Sequence, residues 1–176
     1  QGSFFYQNEP DNLPDDEIQE KMYNILCDNL SDFNHYEISN FAIKGFESRH
    51  NLAYWKNKEY YGFGVNASGY EGNIRYKNTS DFNEYIKNPF KREEENCLTK
   101  KEIMENEIFL ALRLKEGINI TEFNKKYNTD FVKKYVNIID KYENFSLIKR
   151  ENNIIRLTQR GILLSNEIMA DFIELP

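Results

Sequence analysis

The rarest side chains of the chain lie together in Ser48-Arg49-His50-Asn51-Leu52-Ala53-Tyr54-Trp55, which holds the only tryptophan and one of two histidines. An imidazole with a pKa near neutrality can ligate iron or carry a proton. A guanidinium pairs with carboxylates, and tyrosine and tryptophan offer flat faces for stacking. His50 as an axial ligand, Tyr54 and Trp55 for stacking, Asn51 beside them and Arg49 for a carboxylate would together suit a haem-like molecule. The same residues would equally suit a packed loop.

A second candidate is the glycine-rich run Gly62-Phe63-Gly64-Val65-Asn66-Ala67-Ser68-Gly69. A dinucleotide fingerprint needs a strand before it, a helix after it and a third glycine at the right offset. Here the next glycine comes five residues after Gly64 and a hairpin follows, so that reading fails. What remains is a strand with little side chain, whose backbone could lie against a flat ligand such as a purine or porphyrin. A bulge or tight packing point is the plainer reading and carries more weight.

Other chemistries lack their parts. Two histidines cannot complete a Ser/His/Asp or Cys/His nucleophile set. Cys27 and Cys97 form no CxxC or Cys/His ligand cluster and read as two indifferent thiols. With 15% aromatic and 40% apolar residues, the composition is that of a globular chain. Residues 1–98 carry 10 basic and 17 acidic side chains, a balance of −7, and residues 99–176 carry 13 and 12, a balance of +1. Neither half has the basic excess of a nucleic-acid binder. No long apolar run and no signal peptide is visible, so a reducing cytoplasm is the expected compartment.

The elements that must position these residues fall into two groups. The start, Gln1-Gly2-Ser3-Phe4-Phe5-Tyr6, has no initiator methionine and reads as an interior segment of a longer chain. Asp15 or Asp16 caps a helix to about residue 30, with Ile18, Met22, Ile25 and Leu26 on one face. Residues 36–41 alternate as a short strand, 48–55 are a loop or short helix, and 60–67 a second, glycine-interrupted strand. Residues 70–76 are a hairpin turning at Glu71-Gly72-Asn73. Ser80 starts a brief helix that Pro89 stops. The charged stretch 91–98 then reads as a linker between a domain at 1–90 and another at 99–176.

The second group is mainly helical. Thr99 and Glu102 make a capping box for a helix that Gly117 ends. A short helix at 122–127 follows, capped by Asn119 or Thr121, then a longer one with Phe131, Tyr135, Ile138, Ile139 and Tyr142 inward. Strands at 147–150 and 154–157 flank a turn, and a last helix starts at Thr158. That order is the order of a winged helix-turn-helix. Its third helix offers Lys133, Lys134 and Lys141 but also Asp130, Asp140 and Glu143. An internal docking or partner-binding role therefore outweighs DNA reading.

As consecutive strings, several stretches resemble the C-terminal half of the HemW-like radical-SAM family, relatives of oxygen-independent coproporphyrinogen III oxidase. They are Tyr36-Glu37-Ile38-Ser39-Asn40-Phe41-Ala42, Ser48-x-His50-Asn51-x-x-Tyr54-Trp55, Tyr60-x-Gly62-x-Gly64 and Arg75-Tyr76-x-Asn78. Leu112-Arg113-Leu114-x-x-Gly117 and Leu157-Thr158-x-x-Gly161 continue the match, and Gly2-Ser3-x-Phe5-Tyr6 looks like a segment after a late barrel strand. The His-Asn-x-x-Tyr-Trp string is the most specific and is typical of HemW rather than of the oxidase.

The resemblance implies an α+β fold, with a remnant of a partial (β/α) barrel followed by a winged-helix-like domain. It implies haem binding and delivery to an acceptor protein, with S-adenosylmethionine and a [4Fe-4S] cluster in the parent's barrel. A homodimer stays open as an assembly. His50 would ligate the iron, and Arg49 or Arg75 would pair with a propionate. Gly62, Gly64 and Ser68 would lie near the adenine of S-adenosylmethionine. The cluster's CxxxCxxC is absent from this sequence and two cysteines cannot replace it, so the chain alone is expected to hold no cluster and to be inactive in radical chemistry. Where relatives carry Gly-Ala-His-Ser after the glycine pair, this chain has Val65-Asn66-Ala67-Ser68.

Overall fold

In the computed structural model, residues 4–8, 10 and 12–173 are described; Gln1, Gly2 and Ser3, which the sequence reading used, lie outside them. Helix and sheet alternate along the chain. A one-turn helix α1 (Phe4–Gln7) precedes α2 (Asp16–Asn29), whose N-terminus Asp15 caps by accepting the Ile18 N–H at 2.8 Å. The stripe of Ile18, Met22, Ile25 and Leu26 exists but covers nothing, each side chain being at least 45% exposed.

The single strand expected at 36–41 is instead a hairpin, β1 (Asn34–Glu37) and β2 (Asn40–Ala42). The Glu37 carboxylate accepts from the Ser39 N–H and the Asn40 amide, and these local bonds turn the chain. Residues 49–55 are a helix, α3 (Arg49–Trp55).

The strand expected at 60–67 does not form. Tyr60 bridges Tyr70, and Asn66 and Ala67 share backbone hydrogen bonds with Thr79 and Asn78, but between them Gly64 and Asn66 take φ of 111° and 64°, which extended pairing excludes. The hairpin β3 (Ser68–Glu71) and β4 (Ile74–Asn78) follows as expected, and α4 (Phe82–Lys87) starts one residue late, capped by Asp81.

The stretch read as a linker is strand β5 (Arg92–Cys97), which completes an antiparallel sheet of order β3-β4-β5. Charges along an edge strand protect it from pairing with another chain, but they also erase the apolar alternation by which a strand is read.

From Thr99 on, the capping box opens α5 (Lys100–Ala111) as expected. Then come β6 (Ile118–Asn119), α6 (Ile120–Tyr127), α7 (Phe131–Lys134), α8 (Val136–Asn144), β7 (Ile148–Glu151), β8 (Ile154–Leu157), α9 (Gln159–Leu163) and α10 (Ser165–Asp171). Two expected helices are broken, one at Tyr135 (φ −110°, ψ 21°) and one at Leu164 (φ −107°, ψ 20°). The unexpected β6 makes the wing a three-stranded sheet, β6-β8-β7. Asn152 and Asn153 both take positive φ, the conformation of a type I′ hairpin turn. The core lies here: Ile108, Phe131, Ile139, Ile155, Ile168, Met169 and Phe172 are fully buried, and Phe131 stacks on Phe172 at 6.1 Å.

The two groups of elements join along one seam. Ile38 N–H donates to Arg113 O at 3.0 Å and Lys115 N–H to Tyr36 O at 3.1 Å, so Glu37 and Leu114 pair like strand residues. Elsewhere on the seam Lys56 pairs with Glu116 at 3.0 Å, and the Gln159 amide reaches the Cys27 sulfur at 3.1 Å.

Candidate functional site

Helix α3 is short but well begun: Ser48 Oγ accepts the Asn51 N–H at 3.3 Å, and Lys56 N–H closes the last turn on Leu52 O. Its four-residue spacing sets His50 and Tyr54 on one face. Their rings meet edge to face, 4.6 Å apart at 83°, and Tyr54 meets Tyr60 in the same way at 4.3 Å and 75°. Burial pushes the Tyr60 phenol upward, against the pull of the nearby Arg75 charge. Arg75 lies 5.6 Å over the Tyr70 ring. The result is a row, His50–Tyr54–Tyr60, with a guanidinium at its inner end. Arg49 and His50 are exposed, and among the described residues the His50 imidazole meets the Tyr54 ring but no side-chain hydrogen-bond partner. Both of its ring nitrogens are open to a ligand.

Trp55 does not belong to that row. Five residues after His50 it lies about 140° around the helix axis, under the Arg113 guanidinium at 4.3 Å. It borders a cavity of about 410 Å³ between α3, α5 and α6, lined also by Leu114, Phe123 and Ile154 and by Glu107, Glu116 and Glu122. Against these three carboxylates the lining sets one ammonium, Lys56, already paired with Glu116, so propionates would meet net negative charge there. The structure thus divides the group read from the sequence, with His50, Tyr54 and Arg75 on one side of α3 and Trp55 on the other. Asn51 is half-buried between them on the helix, its backbone N–H on the cap.

The glycine pair sits in a loop fastened from inside. Tyr76 and Tyr85 hydroxyls accept the Gly62 and Gly64 N–H groups at 3.2 and 2.9 Å, and the Asn78 amide donates to both carbonyls at 2.9 and 3.0 Å. The polar groups that a bare backbone could offer a purine are therefore taken. A side chain at Gly62 would meet Ser68 O at 2.4 Å, so this glycine is required for packing. Ser68 is exposed at the start of β3, opposite Lys77. On the outer side, Tyr61, Phe63, Tyr76, Phe90 and Arg92 line a cavity of about 460 Å³.

Neither thiol meets a ligand set: Cys27 lies by Gln159, Cys97 by the Asn73 amide, and the described residues hold no group of three or more His, Cys, Asp or Glu side chains fit for a metal. The donors present do not fit a [4Fe-4S] cluster. The sequence reading missed Glu37 and Arg113 as a pair. Glu37 is fully buried, 3.8 Å from Arg113, and both had appeared only as letters within matching strings. A carboxylate in an alternating stretch signals an exposed face, so nothing local marked it as buried.

Residues 98–164 match the family described as the HemN C-terminal domain. The chain is similar to the "Heme chaperone HemW" of Lactococcus lactis, 40% identical over 165 residues that cover 92% of this chain and 44% of the relative. The protein of that description from Bacillus subtilis is 34% identical over 167 residues, with the same 92% and 44%. The chain thus spans less than half the length of these relatives. Among solved structures, coproporphyrinogen III oxidase (HemN) from Escherichia coli, described as a radical SAM enzyme, aligns with a TM-score of 0.72 over 92% of this chain and 42% of that one, at 13% identity, a likeness of fold. The class is therefore that of chains built on a HemN C-terminal domain. Within it, the chain belongs to the HemW-like radical-SAM family and matches its C-terminal portion.

Proposed function

We propose that the protein handles haem, binding it on the outer face of α3 for delivery to an acceptor protein. The observation that carries this is the open His50 imidazole at the head of the Tyr54–Tyr60 row, with Arg75 at the far end. An exposed histidine without a hydrogen-bond partner among the described residues can ligate iron, the edges of two tyrosines bound a flat ring, and Arg75 or Arg49 can pair with a propionate. Two relatives described as haem chaperones support the reading. In this reading Trp55, Gly62, Gly64 and Ser68 are scaffold rather than ligand contacts. S-adenosylmethionine and the [4Fe-4S] cluster belong to the remainder of a longer parent, of whose barrel residues 1–90 are the closing part. Residues 99–176 act as a winged-helix-like docking unit. No helix among the described residues is long and apolar enough to cross a membrane, and we place the protein in the cytoplasm.

The test separates ligation from stacking. Trp55, the only tryptophan, reports binding through energy transfer to a porphyrin. Titrated into the wild type, haem should quench its emission at lower concentration than iron-free protoporphyrin, and in His50→Ala the two should be equal. Equal affinities in the wild type would overturn His50 as a ligand.

A further inference from the structure

We infer that Arg113 is a positioning residue for α3, holding the helix from behind so that His50 faces outward; the inference rests on the haem reading of that face. Helix α3 has seven residues, none of them buried. A helix of that length does not hold itself in water, so its orientation must come from what it packs against. Trp55 is one of its inward contacts, beside Tyr54 on Tyr60, and the flat guanidinium of Arg113 lies 4.3 Å over the Trp55 ring.

Arg113 is itself held at both ends. Its carbonyl accepts the Ile38 N–H at 3.0 Å, and its guanidinium lies 3.8 Å from the fully buried Glu37 carboxylate. The other face of that carboxylate is taken by Ser39 and Asn40. Among the described residues Arg113 is the cation that answers the charge of Glu37, and the guanidinium cannot swing away without leaving a buried anion unpaired. Because Trp55 and His50 lie about 140° apart around the same short helix, fixing the first fixes the direction of the second. The Lys56–Glu116 pair at 3.0 Å ties the end of the same helix to the same domain. The C-terminal domain in this way sets the face on which His50 is offered.

Arg113→Lys keeps a cation for Glu37 but has no plane to lay on Trp55. Trp55→Leu removes the ring instead. Hydrogen exchange of the α3 amides, measured without haem, should rise about tenfold in each, and the double variant should add little to either. Ile139→Val, in the core and away from α3, serves as a control that lowers stability alone. With haem, Arg113→Lys should weaken binding about tenfold and move the Soret band toward that of His50→Ala, while Ile139→Val keeps the wild-type band. Wild-type exchange in both seam variants, or faster exchange with an unchanged Soret band, would overturn the inference. Identical bands for the wild type and His50→Ala would instead reject the haem reading, and the exchange result would still decide whether Arg113 positions α3.

Discussion

Arg113 lays its guanidinium 4.3 Å over the Trp55 ring while its charge answers Glu37, 3.8 Å away and fully buried. One side chain thus links the β1–β2 hairpin, helix α3 and the C-terminal domain. Planarity serves the first contact and charge the second, a combination lysine does not offer.

Breaking the pair from the carboxylate side should be costly. Glu37→Ala leaves Arg113 uncompensated and strips the acceptor from Ser39 and Asn40, and a loss of about 3 kcal/mol is expected in urea unfolding. Glu37→Gln keeps an acceptor for those donors and should lose less. Equal losses would mean that the charge contributes nothing.

His35 gives the fold an acid limb. Its ring stacks on Phe41 at 4.1 Å and faces the Ile38 carbonyl at 3.2 Å, and burial holds its pKa below the ordinary histidine value. The unfolded chain then binds the proton first. The stability that His35 contributes is present above about pH 6.5 and is lost as pH falls through the lowered folded value. Melting temperature should decline over that window, and the decline should shrink in His35→Gln. An unchanged profile in the variant would assign the acid limb elsewhere.

Two glycines of adjacent loops should behave differently. Alanine at Gly62 meets Ser68 O at 2.4 Å, so the loop must shift off Tyr76 and Asn78, at a cost of about 2 kcal/mol. Alanine at Gly72 meets nothing within 4 Å and bears only the strain of φ 61°, about 1 kcal/mol. Chemical unfolding of both variants checks the order.

Much of the C-terminal domain was legible because its apolar residues repeat at helical spacing and the capping box at Thr99 is a local signal. Of Phe131, Tyr135, Ile138, Ile139 and Tyr142, all read as inward, all but the half-buried Ile138 are buried. The break at Tyr135 was not readable, since the apolar period continues through it. The N-terminal elements were harder. Strand β5 is charged on both faces, and the 60–67 segment has strand composition but is bent by Gly64 and Asn66. Rare residue types led to α3, but spacing alone could not say that Trp55 faces away from His50 until the helix was known to be regular. Arg113 and Glu37 meet across a distance in sequence that no local pattern spans.

The core makes a matching prediction. Phe131 is fully buried among Phe123, Tyr135 and Phe172, and Phe131→Ala should lose about 4 kcal/mol. Phe90 is 89% exposed, and Phe90→Ala should stay within about 0.5 kcal/mol.

The central claim is that His50 ligates haem iron, and the absorption spectrum of the ferric haem complex tests it most directly. Wild type and His50→Ala are titrated with haem at one protein concentration. The account predicts a Soret band characteristic of imidazole ligation in the wild type, absent in His50→Ala and restored there by added imidazole. The same band at the same affinity in both proteins would contradict it.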